Sequence, residues 1–443
     1  VLPKRPINAD VPTPDEAPRP GGGDAAKPEP APARPPRQPK PLAPKLLAAL
    51  VVLAVAFIAL AIVGGSGGGK HGESAPAPPP SPTSRGNAGA VAAETADSLG
   101  YPAFATNNTT RIGGSSPAAT AAAVALAVYP STTPSLRPAA VTLVGEEDWA
   151  GAIAAASLMA QPVGAPLLYS NPGELPGATG EALAALDPQG GKDTAGASLF
   201  AIGALALPDG GDKVTRVDSG DPASTAAQIA TLRERLAGKP PRHIVLVSSS
   251  SPEFALPAAA WAARSGDPVL FTDAKALPQP TAAILERHPE VPVYALGPQS
   301  AISGSVLADV AKLAGKARRV AGAEPVTNAL ALARFGAGNF GWNVNDPGHG
   351  FVLARSDSPL DAAAAAPLSG SGTWGPLLLS DNAGTLPAAV RSYLLDVKPG
   401  YTSDPTRAFY NRVWVIGDQE AIDVNQQAEV NELAELTRIG GGE

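Results

Sequence analysis

The chain has 443 residues, with 33 Lys and Arg against 40 Asp and Glu for a formal net charge of −7, and it holds 47 glycines, 49 prolines and no cysteine. The missing thiols exclude disulfides, thiolate metal sites and a cysteine nucleophile, and the acidic balance excludes steering of the whole molecule toward nucleic acid. At roughly 100 to 200 residues per domain, the length admits two to four domains.

Residues 1–45 are rich in proline and too sparse in apolar side chains to build a core, so they read as a disordered tail. The end of this tail carries Arg34, Arg37, Lys40 and Lys45 with no acid among them. Leu46 to Val63 then form a run of eighteen uncharged apolar residues, at the short end of what spans a hydrocarbon core of roughly 30 Å. One transmembrane helix is expected here, with the basic flank holding the amino terminus in the cytoplasm and everything after Val63 outside. Residues 64–105 read as a flexible linker. Within it Gly64, Gly69 and Lys70 have the spacing of a phosphate-binding loop, but His71 stands where Ser or Thr holds magnesium, and no strand precedes it.

Beyond the linker one pattern occurs three times, starting at Val141, Ile244 and Phe351. Each copy is an apolar run, a polar loop, an alanine-rich helix and a second apolar run introduced by proline, which predicts a strand, helix and strand with a buried parallel pair. Superposing the copies aligns Asp148, Ser251 and Ser358, followed by Trp149, Pro252 and Pro359. A short polar acceptor before proline is the chemistry of a helix start. The loops themselves differ: Gly145, Glu146 and Glu147 in one copy, Ser248 to Ser250 in the next, Arg355, Ser356 and Asp357 in the last. Acids, hydroxyls and a mixed set at one position argue for a scaffold and against a shared catalytic loop.

Three further features recur with this unit. An opening segment carries Arg111, Arg216 and Arg319, spaced 105 and 103 residues apart; a Leu-Pro pair follows the second strand at Leu175-Pro176, Leu277-Pro278 and Leu386-Pro387; and a third strand ends at Gly203, Gly297 and Gly417. Thr437 to Gly440 look like the start of a fourth opening. The expected architecture is α/β, with three tandem modules at 106–213, 214–317 and 318–443, preceded by the tail, the membrane helix and the linker.

The order RIGG, alanine-rich helix, VTLV, DWAGAIAAASLMA, GAPLLYS, ELP, FAIG resembles the cell wall binding repeat 2 family over roughly residues 106–440. That resemblance implies three Rossmann-like modules with parallel sheets, packed as a pseudo-threefold unit. It also implies non-covalent attachment to an anionic secondary polymer of a Gram-positive cell wall. Arg111, Gly114, Thr120 and Ala121 fit the family's opening motif, whereas Ser116, Pro117 and Ala118 replace its Asp-Arg-Tyr-like element. The family's helix-start acid is kept only at Asp361, with Gly151 and Phe254 in the other copies.

Catalytic chemistry finds little purchase. The histidines His71, His243, His288 and His349 have no metal partner at ligand spacing, no cofactor is implied, and no Gly-x-Ser-x-Gly elbow surrounds Ser248 to Ser251. The tail holds eight basic and five acidic residues, leaving twenty-five against thirty-five on the remainder. An anion site must therefore be a local basic patch. The densest is Lys312, Lys316, Arg318 and Arg319; Arg233, Arg235, Lys239 and Arg242 come next. Trp342, in the glycine- and asparagine-rich stretch GNFGWNVNDPGHG, is the tryptophan best placed to touch a sugar. The leading reading is a single-pass membrane protein whose three extracytoplasmic modules bind an anionic wall polymer, without nucleic acid and with room for protein partners of the envelope. An extracytoplasmic scaffold or receptor that keeps the modules' shape but binds a protein partner or small ligand is the second reading, and an envelope hydrolase the third.

Overall fold

The computed structural model describes residues 104–439, apart from 211, 212, 219, 372 and 373. The tail at 1–45, the membrane helix expected over Leu46–Val63 and nearly all of the linker lie outside the described residues. Among the described residues no helix is long and apolar enough to cross a membrane.

The first repeat runs β1 (Phe104–Ala105), β2 (Thr109–Ile112), α1 (Pro117–Val128), β3 (Val141–Gly145), α2 (Trp149–Met159), β4 (Leu167–Ser170), α3 (Gly177–Leu186) and β5 (Leu199–Ile202). The second runs β6 (Val214–Val217), α4 (Pro222–Ala237), β7 (Ile244–Ser248), α5 (Pro252–Ser265), β8 (Val269–Thr272), α6 (Gln279–Arg287), β9 (Val293–Leu296) and α7 (Gly304–Ala314). The third runs β10 (Ala317–Val320), α8 (Pro325–Arg334), β11 (Gly350–Arg355), α9 (Pro359–Ala364), α10 (Ala366–Gly370), β12 (Leu377–Ser380), α11 (Ala388–Asp396), β13 (Gly400–Tyr401), β14 (Arg412–Ile416), α12 (Val424–Ala434) and β15 (Thr437–Arg438).

The strands β4, β5, β8, β9 and β12 are buried along their whole length, as expected for strands covered on both faces. Helix starts follow local chemistry. Asp148 accepts from the Gly151 amide at 2.7 Å to cap α2. Ser251 and Ser358 occupy the equivalent N-cap positions without a side-chain cap bond, so in those copies the following proline, which has no amide to satisfy, marks the boundary. The alanine-rich helix expected in the third copy is divided at Ala365, ahead of Pro367, into α9 and α10.

The three sheets are ordered β4-β3-β5-β6, β8-β7-β9-β10 and β12-β11-β14-β2-β1, and every pairing in them is parallel except β1 with β2. Each opening strand therefore completes the sheet of a neighbouring repeat. β6 closes the sheet of the first repeat and β10 that of the second, while β2 crosses to the third and pairs with β14. The module limit read at 213/214 separates β6 from the sheet it joins, and the one read at 317/318 falls inside β10. With β2 on the outer edge of β14, the fourth opening has no such edge, and β15 pairs instead with the short β13.

The ring closes around the alanine-rich helices α2, α5, α9 and α10, which pack on one another at the centre. Alanine combines high helix propensity with a side chain small enough for close helix approach. Side chains from separate repeats lock the arrangement: Tyr169 donates its hydroxyl to the Leu360 carbonyl at 2.6 Å, Asn328 donates to the Phe254 carbonyl at 3.1 Å, and Trp149 meets Phe271 edge to face.

Candidate anion-binding site

Lys312, Lys316, Arg318 and Arg319 do not form one surface. Lys312, in the last turn of α7, is exposed and ion-paired with Asp309. Lys316 and Arg318 line a shallow groove of about 620 Å³ with Tyr294 and Gly315, and the Arg318 guanidinium lies over the Phe335 ring. Strand side chains alternate between faces, so Arg319 leaves that groove. Its Nη1 donates to the Gly297 carbonyl at 2.6 Å and its Nη2 to the Ile302 carbonyl at 2.7 Å.

Arg111 occupies the same place in the third sheet. It is buried, and it donates to the carbonyls of Gly417, Asp418 and Ile422 and to Gln427 Oε1. Both arginines hold the turn that leads into a helix, α7 for Arg319 and α12 for Arg111. Among the described residues no helix stands between β5 and β6, and Arg216, lacking such a turn, is exposed beside Arg235. The recurring opening arginine is thus a clamp on backbone carbonyls, and Arg319 is held by that role.

Trp342 also lies away from the groove. It is half-buried against Trp261, with the Arg264 guanidinium 5.1 Å from the centre of its ring. The cation covers a ring face that a sugar would need for stacking.

Arg264 and Trp261 belong to a different site, a cavity of about 310 Å³ at the end of the second repeat. Three helices bring their carboxyl ends to it: α4 with Arg233 and Glu234, α5 with Trp261 and Arg264, and α6 with Arg287 and His288. Lys239 and Arg242, in the turn between α4 and β7, stand at its exposed rim, and Gln161 of the first repeat closes one side. Basic residues at helix ends follow from the partial negative charge there, about −0.5 on each terminus. Their convergence is a property of the packing. Of the second basic group read in the sequence, Arg233, Lys239 and Arg242 line this cavity, while Arg235, on another face of α4, lines the groove beside Arg216.

The cavity wall is organised by Asp267, which is 2 % exposed. Its Oδ2 accepts from Trp261 Nε1 at 2.9 Å and lies 3.1 Å from His243 Nδ1, and its Oδ1 accepts from the His243 amide at 3.2 Å. His243 in turn meets Tyr294 and Phe340 edge to face. Glu234 pairs with Arg287 and His288. Arg233 is 5 % exposed and donates Nη2 to the Gln161 carbonyl at 2.8 Å, while its Nε and Nη1 have no hydrogen-bond partner. Burial pulls its pKa down and the Asp267 charge pulls it back up; an arginine remains a cation under such opposing effects. Among the described residues Arg233, Lys239, Arg242 and Arg264 have no carboxylate within ion-pair distance.

The sequence pattern had no means of joining Arg264 and Arg287 to this group. Each ends its own helix, and only the packing of three helices places them around one space.

Residues 216–307 match the model of a family described as cell wall binding domain 2 (CWB2). No curated protein matches the chain in sequence. Among solved structures the chain is similar to Cwp6 from Clostridium difficile, with a TM-score of 0.57 and 20 % identity over 74 % of this chain and 47 % of that one. It is similar to Cwp8 from the same organism with the same TM-score and identity, over 74 % of this chain and 52 % of that one. The chain thus spans about half the length of these two proteins, and the likeness establishes the α/β fold. The matched segment runs from β6 into α7 and contains most of the cavity lining.

Proposed function

We propose that this chain is a non-catalytic cell wall binding protein that tethers the membrane to an anionic secondary wall polymer. In this reading Leu46–Val63 crosses the membrane once with the amino terminus inside, and the three repeats face the wall. The observation that carries the polymer is a local inversion of charge. Residues 216–320 hold twelve Lys and Arg against nine Asp and Glu, whereas 104–215 and 321–443 together hold eleven against twenty-three. The positive stretch nearly coincides with the segment that matches a cell wall binding domain, and it supplies most of the lining of the Lys316–Arg318 groove and of the Arg233 cavity. A polyanion is attracted to that face and repelled by the rest, so the charge pattern orients it as it binds. Exposed cations contribute little individually; affinity for a repeating polymer comes from several contacts on one chain.

The test is co-sedimentation of the full chain, in mild detergent, with cell walls of the source organism before and after chemical stripping of the secondary polymer. Binding that disappears on stripping is expected. Equal sedimentation with stripped walls, or none with either preparation, overturns the polymer reading.

A further inference from the structure

We infer that the cavity around Arg233 is an enclosed binding site for a single phosphate group carried on a sugar-sized body, separate from the open Lys316–Arg318 groove. The inference goes beyond wall attachment and stands on the cavity alone.

Three observations lead to it. Arg233 is a buried cation whose Nε and Nη1 nitrogens are unpartnered beside a cavity, and a buried charged donor without an acceptor is costly to maintain. Gly266 makes room for the guanidinium: at φ +75° a side chain there is disfavoured, and a Cβ would collide with Arg233 Nη2. The local charge is also uncompensated. Arg287 is matched by Glu234, and Arg264 donates Nη1 to the Trp374 carbonyl at 3.1 Å and lies over the Trp342 ring. The lining holds five cations, Arg233, Lys239, Arg242, Arg264 and Arg287, against the two carboxylates of Glu234 and Asp267, and the three helix carboxyl ends, at about −0.5 each, reduce that excess without removing it.

A net positive lining of more than one charge favours a phosphate monoester, about −1.5 to −2 at pH 7, over a singly charged carboxylate. Arg233 inside and Lys239 with Arg242 at the rim supply guanidinium and ammonium donors around the space, the set that suits tetrahedral oxygens. The volume of about 310 Å³ lies at the small end of ligand sites, roughly 300 to 1,000 Å³. It admits one anionic group with a sugar-sized body and no long polymer segment. Trp261 and His243, both held by Asp267, give the body an aromatic wall.

Calorimetry on the full chain in detergent tests this with inorganic phosphate, glucose 6-phosphate and glucuronate at matched ionic strength. Glucose 6-phosphate is expected to bind best, and glucuronate at least about tenfold more weakly. Arg233→Met is expected to weaken glucose 6-phosphate by at least about tenfold, the loss of a charged hydrogen-bond donor, and Arg233→Lys to restore part of it. Should Arg233→Met fail to fold, the rim variant Lys239→Ala/Arg242→Ala, made at exposed positions, decides through a several-fold loss. Absence of phosphate binding to the wild-type chain, glucuronate binding as tightly as glucose 6-phosphate, or unchanged affinity in the folded variants overturns the inference. None of these arms contains cell wall, so the site and the wall reading fail independently.

Discussion

Arg111 Nε donates to Gln427 Oε1 at 3.0 Å, joining the opening strand of the first repeat to the last long helix across 316 residues of sequence. Gln427 passes the contact on, donating through Nε2 to Thr109 at 2.9 Å. This buried pair, with the β2–β14 ladder beside it, closes the ring of three sheets.

Arg111→Met should therefore destabilise the whole ring. Four acceptors lose their donor in a buried setting, and an uncompensated buried network of this kind costs on the order of 3 to 5 kcal/mol. Denaturant unfolding measures it. A loss below about 1 kcal/mol is incompatible with a closing role for this residue.

Adjacent residues on β10 should behave differently. Arg319→Met removes the donors to Gly297 and Ile302 and is expected to cost about 1 to 3 kcal/mol of stability. Arg318→Ala lies on the exposed face of the groove, so its stability should stay within about 0.5 kcal/mol of the wild type. Its retention on walls should fall, most clearly when combined with Lys316→Ala and at low salt. The reverse pattern would place the ligand on the wrong face of the strand.

Gly266→Ala should couple stability to the cavity. A methyl at φ +75° is strained and would meet Arg233 Nη2 and Cζ, so the guanidinium must leave the Gln161 carbonyl. The expected cost is about 1 to 2 kcal/mol, accompanied by weaker phosphate binding in the same preparation. Thermal unfolding and calorimetry read the two effects together.

Half-buried acids give the protein a pH dependence of known sign. Burial raises the carboxyl of Asp148, opposed by the Gly151 amide. Burial also raises that of Asp361, with Thr120 opposing and the Asp418 charge adding to the rise. The folded state thus holds these protons more tightly than the unfolded chain. Their contribution to stability is full below the unfolded carboxylate pKa, near 4, and is lost as pH rises through the folded values. Asp361→Asn is therefore expected to raise the Tm at pH 7, with a gain that shrinks toward roughly pH 4. Asp148→Asn should do the same while keeping the cap of α2. A lower Tm at pH 7 in both variants would contradict this account.

Much of the architecture was legible in the chain because it is written locally. Apolar runs of four or five residues, prolines at helix starts and glycines at the ends of third strands report their own backbone surroundings, and their recurrence tracks the three main sheets. The arginines at 111, 216 and 319 recur in the same way, but their partners are carbonyls brought in by folding. Sequence spacing therefore cannot show that two of them are clamps and that Arg216, without a helix to hold, is exposed. The adjacent charges of Arg318 and Arg319 read as one patch in the chain and stand on opposite faces of a strand.

The buried parallel strands and the concentration of basic residues between 216 and 320 can be read from the chain, because each rests on residue type and period. Which strand completes which sheet emerges on folding, since the chain order is silent about edges that a neighbouring sheet can fill. Folding also sets where charge gathers. Arg233, Arg264 and Arg287 end or nearly end three different helices, and only the packing of those helices around Asp267 turns separate dipole-matching cations into a cavity with an unmet positive charge.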